Sequence, residues 1–240
     1  MTSDTDTAVE SKPAQGSRWE DFVDVYLSPG DLFARRAQET WLKPFLLLAL
    51  ISTVLYYAFL PLNSLIWDAM MAANAPEGAD LERMRKGAAF MKYLGGIFVP
   101  IGLAFGIAIS ALALRLLSAL FEPAANWRQS FTIATYGAYV VLPQQVITSL
   151  FVFIRSRSSA ITPKDISFGA IRFIDEPSKI VTAALRPFDI FPIWATIICA
   201  VGLMVVVGMP RNRAILVAAL TLICTALPGV AMAVLFGGKQ

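Results

Sequence analysis

The sequence predicts an all-α, polytopic integral membrane protein with five transmembrane helices, preceded by N-terminal amphipathic helices in the membrane interface. Three observations support this fold class. Of the 240 residues, 57% are hydrophobic and only 15% charged, against roughly 45–50% apolar and about 25% charged in an average soluble domain. From Ile190 to Gly208 there is no charged residue, and about 19 residues at 1.5 Å each approach the roughly 30 Å hydrocarbon core of a bilayer. The flanks of that run are marked: Asp189, Phe191, Pro192 and Trp194 stand at its start, Gly208, Met209 and Pro210 stop it, and Arg211 and Arg213 follow. An indole at headgroup depth and arginines in water or on phosphates fit the two ends of a span. A second apolar run opens at Ala214, so the two helices turn tightly into an antiparallel hairpin.

Residues 1–16 are polar, acidic and rich in Ser and Thr, and read as a disordered tail. They have neither the basic start nor the apolar core of a signal peptide. Residues 17–43 form the amphipathic, interfacial part. Ser17 and Glu20 have capping-box spacing, and Trp19, Phe22, Val23, Tyr26 and Leu27 recur at helical intervals opposite Glu20, Asp21 and Asp24. Ser28-Pro29-Gly30-Asp31 restarts the chain, with Ser28 placed to cap, Pro29 at the first helical position and Asp31 at the third. The short helix that follows mixes Leu32, Phe33 and Trp41 with Arg35, Arg36 and Lys43. Two such helices lie in the interface or pack as a small cap on the bundle, and both readings stay open at this level.

The membrane domain covers residues 44–236, with spans near 44–67, 90–121, 130–154, 190–208 and 214–236. The second is longer than a bilayer needs, so it tilts, kinks near Gly95-Gly96 and Pro100, or extends into water. Within it Gly102, Gly106 and Ser110 recur every four residues and place three small residues on one face, which permits close helix approach. That face packs inside the chain or against a partner, a second copy of the chain included. The third span contains Tyr136, Tyr139, Pro143, Gln144 and Gln145. Pro143 has no N–H for the carbonyl four residues earlier, so a carbonyl near Tyr139 needs another partner. Two glutamine amides at the same depth need partners as well. This polar cluster reads as interhelical hydrogen bonding at a kink or as the lining of a cavity or partner surface. The loop 155–187 mixes apolar and charged residues and is expected to be partly helical. The last span is expected to break at Pro228-Gly229. Five spans place the termini on opposite sides. Lys and Arg number nine on the N-terminal side and eleven on the other. Arg35, Arg36 and Lys43 beside the first span weigh most and the long third loop least, which puts the N-terminus in the cytoplasm.

Composition also bears on function. There is no histidine, so the commonest general base and metal ligand is missing. Cys199 and Cys224 both lie in apolar runs without Cys-x-x-Cys spacing, which suits small buried residues rather than redox or metal chemistry. A net charge of +3 gives no reason to expect nucleic acid as a partner. No nucleophile elbow, phosphate-binding loop or zinc-protease motif occurs, and the spans carry no paired carboxylates. The expected protein is therefore no enzyme and takes no cofactor or metal. Small-residue faces, amphipathic segments and polar amides suit a non-catalytic scaffold or accessory subunit of a membrane complex, or a protein that organises the bilayer. The alternative is a small independent transporter or channel with a polar site in the third span.

Three motifs also suggest a family. Leu27-Ser28-Pro29 followed by Phe33 precedes the first span, Tyr136, Tyr139 and Pro143 mark the third, and Asp189-Ile190-Phe191-Pro192-Ile193-Trp194 leads through Gly202 to a short basic turn. In this order they resemble the Yip-domain proteins (Ypt/Rab-interacting protein family), specifically their bacterial branch, over roughly residues 20–236. Ser28, Pro29, Asp189, Phe191 and Trp194 are the motif positions. The resemblance implies five spans with a cytoplasmic N-terminus and, for a bacterial member, residence in the inner membrane. It implies lipid and membrane-protein partners. Eukaryotic members contact prenylated Rab GTPases; some bacterial relatives are associated with ABC-type exporters as accessories, and such an exporter is the partner implied here, with homo-oligomerisation a further option.

Overall fold

The computed structural model describes residues 18–75, 80–155, 167–174 and 178–237, and among them regular structure is entirely helical. The expected tail, residues 1–16, and the Ser17 cap lie outside the described residues. Two short helices come first, α1 (Arg18–Leu27) and α2 (Pro29–Arg36). Pro29 takes the first position of α2, where its missing N–H costs nothing, but the Ser28 side chain makes no capping hydrogen bond. Their ion pairs run Asp24 to Arg35 and Asp21 to Arg36, so α1 and α2 fold back on each other as a hairpin.

The first apolar stretch is two helices rather than one. Helix α3 (Leu42–Ala58) ends at Phe59, and α4 (Leu60–Asn74) starts at once. Pro61 has no N–H for the Tyr57 carbonyl, which is why the ladder fails there. Helix α5 (Leu81–Ser118) is capped by Asp80, whose side chain accepts from the Arg83 N–H. It continues through Pro100 without interruption and begins nine residues before the expected start. Gly95 and Gly96 are seats rather than kinks. A Cβ at Gly95 would lie 2.1 Å from the Tyr56 hydroxyl and one at Gly96 2.4 Å from the Tyr57 ring. Those tyrosines donate to the carbonyls of Lys92 and Tyr93 at 2.7 and 3.0 Å.

Asn126 and Gln129 form a reciprocal capping box that starts α6 (Trp127–Ala138) three residues before the expected span. Helix α7 (Val141–Arg155) follows after a two-residue joint. Two 3-10 turns, Ala170–Phe173 and Arg186–Phe188, with the short α8 (Lys179–Leu185) between them, make the 155–187 segment partly helical where it is described. Helix α9 (Ile190–Val207) closes at Gly208, whose φ of +74° is the left-handed conformation that glycine adopts without strain. Helix α10 (Arg211–Gly237) runs unbroken through Pro228, contrary to the expected break.

Among the described residues, four stretches are long and apolar enough to cross a membrane: 89–118, 127–155, 190–207 and 211–235, with α3 as a shorter apolar helix. The chain is an integral membrane protein. Its centre is α6, in which Ser130 and every residue from Thr132 to Gly137 are buried, the pattern of a helix surrounded on all sides. A Cβ at Gly137 would lie 2.7 Å from the Cys199 sulfur, and one at Gly202 2.9 Å from both Ile133 and Phe33. Glycines therefore set the approach of α6, α9 and α2.

Candidate functional site

The site grows from one missing donor. Pro143 offers no N–H to the Tyr139 carbonyl, and α6 and α7 part at that point. The freed carbonyl accepts from the Leu142 N–H at 3.0 Å and from the Tyr26 hydroxyl at 2.9 Å. The Tyr139 hydroxyl in turn donates to the Pro44 carbonyl of α3 at 2.9 Å, fully inside the protein. One tyrosine thus ties the N-terminal hairpin, α3 and the α6–α7 joint together.

Aromatic rings complete this hub. Tyr26 stands edge-on to Phe22 at 5.8 Å and to Trp194 at 5.5 Å. Phe33 meets Tyr136 at 5.7 Å, and Tyr136 meets Tyr139 at 5.6 Å. Edge-to-face pairs at these spacings contribute about 0.5–1.5 kcal/mol each beyond burial. Trp194 is packed against the hairpin through Tyr26. Burial pushes the Tyr26 phenol above its ordinary pKa, because the phenolate would lose its water.

Charge holds the hairpin closed. Arg35 bonds to Asp24 and, at 3.4 Å, to Asp21; Arg36 bonds to Asp21 at 2.8 Å and to Glu39. The hydrogen bond to Asp24 raises the pKa of Arg35. Burial opposes the charge on Arg36, but its bonds to Asp21 and Glu39 more than offset that, so its pKa is raised too.

Asp189 forms a second anchor. It is buried at the start of α9, where one carboxylate oxygen accepts from the Phe191 N–H at 3.3 Å and caps the helix. The other accepts from the Phe168 N–H at 2.7 Å and the Ser167 hydroxyl at 3.2 Å. Gly169 passes so close that a Cβ would sit 2.8 Å from the Asp189 Cα and the Phe188 carbonyl oxygen. Phe168 then stacks edge-on to Phe191 at 5.6 Å and to Phe151 at 5.8 Å. Asp189 and Phe191 are thereby placed together, about a turn of α9 from Trp194, while Ser28 and Pro29 lie at the tip of the hairpin.

Gly102, Gly106 and Ser110 stand elsewhere. They line a cleft of about 310 Å³ with Gly137 of α6, Cys199 of α9 and Thr221 of α10. Nothing lies within 4 Å of a Cβ built at Gly102 or Gly106, so at these two positions the face meets no other helix of the chain. The threonine hydroxyls of the cleft, Thr196, Thr221 and Thr225, donate to carbonyls of their own helices. Gln144 and Gln145 are half-buried near the joint; the Gln144 N–H donates to the Val140 carbonyl at 3.2 Å, and neither side-chain amide bonds another described residue.

The Tyr26 and Tyr139 hydroxyls and the Asp189 carboxylate are thus engaged in holding segments of the chain together. No group of three metal-ligating side chains occurs among the described residues. Sequence reasoning did not reach Ser167 and Gly169, whose partner lies some twenty residues away and leaves no local signal. Nor did it give Tyr26 more than a place on an apolar face; the Pro143 rule announced a released carbonyl but not its donor. Comparison with known families finds that the model described as the Yip1 domain matches residues 23–233. No curated protein and no solved structure matches the chain.

Proposed function

We propose that this chain, which belongs to the Yip1 domain family, is a non-catalytic scaffold or accessory subunit of a membrane complex. One observation carries the reading. The Gly102–Gly106–Ser110 face opens into an apolar cleft that the chain's own helices leave unfilled. In hydrocarbon, where apolar burial drives no association, such faces are where helices approach closely and gain packing. The occupant we propose is a transmembrane helix of a partner, an ABC-type exporter by the resemblance noted above, or a second copy of the chain. We place the protein in a bacterial inner membrane with five spans, α3–α4 together forming the first, the N-terminus cytoplasmic and the C-terminus opposite.

The experiment is gentle extraction of the tagged chain with quantification of what accompanies it, for the wild type and for Gly102→Leu and Gly106→Leu. A Cβ at either position meets no other atom within 4 Å, so both variants are expected to fold, which the melting curve of each checks. A companion protein recovered at near-equal amounts with the wild type and lost at least tenfold with either variant supports the scaffold reading. Equal recovery with all three sinks the cleft as its interface.

The broken third span supports a second reading, an independent transporter or channel, through the Gln144 and Gln145 side-chain amides beside the joint, which bond no other described residue. Solute or ion flux in liposomes that disappears with Gln144→Leu or Gln145→Leu would establish it.

A further inference from the structure

The N-terminal hairpin lies beside α9, not beyond its end. Phe33 reaches Gly202, and a Cβ at Gly30 would touch Val201 at 4.0 Å, five and six residues before Val207. Tyr26 packs on Trp194, thirteen residues before that end. At 1.5 Å per residue these levels are about 8 to 20 Å along the helix from its last turn. Helix α9 has 18 residues, about 27 Å, barely the thickness of the hydrocarbon core. Whatever stands alongside Trp194 to Gly202 is therefore within the depth of the bilayer.

The surface of the hairpin fits that depth. Its inner face, Val25, Leu32 and Phe33, is fully buried against the bundle. Its outer face carries Leu27 at 77% and Val23 at 49% exposure, the first at the tip and the second one turn back, with Glu20 a further turn towards the other end. The charges between, Asp21, Asp24, Arg35 and Arg36, are paired within the hairpin. Asp31, exposed in the first turn of α2, limits the insertion: next to Gly30 at the level of Val201, about 9 Å from the last turn of α9, its carboxylate has to reach out towards the headgroups. From this geometry we infer that the α1–α2 hairpin enters the hydrocarbon from the side of the α9–α10 turn, to the depth set by these contacts, and that Val23 and Leu27 contact lipid acyl chains.

The test uses the full chain with Cys199→Ala and Cys224→Ala in lipid nanodiscs, where both faces meet water. A bimane fluorophore is attached at Leu27→Cys and, separately, at Val23→Cys. Thr40→Cys, exposed beyond α2, serves as the water reference and Phe105→Cys, exposed on α5, as the lipid reference. Quenching is read with aqueous iodide and with phosphatidylcholine carrying a nitroxide on its acyl chain. Positions 27 and 23 are expected to follow Phe105, with at least threefold less iodide quenching than position 40 and stronger quenching by the nitroxide lipid. Iodide quenching at both positions equal to that at position 40 would overturn the inference and return the hairpin to the aqueous side. A partner protein covering the tip would protect it from both quenchers, and that outcome overturns the inference as well.

Discussion

At the scale of single residues, Gly202 is a tight constraint on the hub, because it faces two elements at once. A Cβ there would stand 2.9 Å from both Phe33 and Ile133, and neither of these buried side chains has space to retreat. Gly202→Val is expected to displace Phe33, lower the thermal midpoint in detergent by several degrees and make α1–α2 a protease target, while Gly106→Val leaves both unchanged. Tyr26→Phe removes one hydrogen bond without emptying its volume, a loss of about 1 kcal/mol. The same tyrosine sets an alkaline limit. Its folded pKa is raised above the unfolded value of about 10, so its contribution is fully present below that value and is lost as pH rises through the folded pKa. The stability of the wild type, followed by intrinsic fluorescence, is thus expected to be flat across neutral pH and to fall in strong alkali. Tyr26→Phe, already weaker, should lack this component of the fall. Asp189→Ala takes away the α9 cap and the acceptor for Phe168 and Ser167. The cap alone is worth about 1 kcal/mol, and increased hydrogen exchange at the Phe168 and Phe191 amides would locate the loss.

At the scale of elements, the hairpin stands or falls on its charges. Asp21 serves both Arg35 and Arg36, so Asp21→Asn is expected to cost about 2 kcal/mol, the range of a hydrogen bond to a charged group. The helices themselves were largely legible, because apolar runs and their breakers are local. Pro143 announced the α6–α7 joint, and Gly208-Met209-Pro210 the α9–α10 turn, through the same missing donors and glycine geometry that the structure displays. Helix continuity was less legible. Pro100 and Pro228 sit inside unbroken helices, whereas Pro61, two residues after Phe59, marks a real interruption. A proline removes one hydrogen bond wherever it stands; whether the helix then stops depends on what packs around it. The Asp189 anchor was half legible. Its capping role follows from position, but the Ser167–Gly169 segment it holds is joined to it only in space.

At the scale of the whole molecule, the central helix α6 explains why function was harder to read than fold. Its residues Thr132 to Gly137 are all buried, and the Tyr26 and Tyr139 hydroxyls at the joint are spent on carbonyls of neighbouring helices. What is left for other molecules is surface: the cleft beside Gly102 and Gly106, and the tip of the hairpin. Reporter fusions after Gln38, in the 119–126 turn and after the last residue test the arrangement as a whole. The first two are expected on the cytoplasmic side and the third across the membrane; a cytoplasmic C-terminal reporter would remove one of the five proposed spans.

The docking of α2 on α9 also orders events during synthesis. Phe33 must wait for Gly202, and Tyr26 finds Tyr139 only 113 positions later. At about 5–20 residues per second, the ribosome needs roughly 8 to 35 seconds to deliver the second half of the Phe33 contact. Throughout that interval the earliest helices made are the last to find their place, and Phe33 and Tyr26 are open to whatever chaperone or neighbour is near. A cysteine pair at positions 26 and 194 should therefore fail to crosslink in chains stalled before α9 leaves the ribosome, and should crosslink after release.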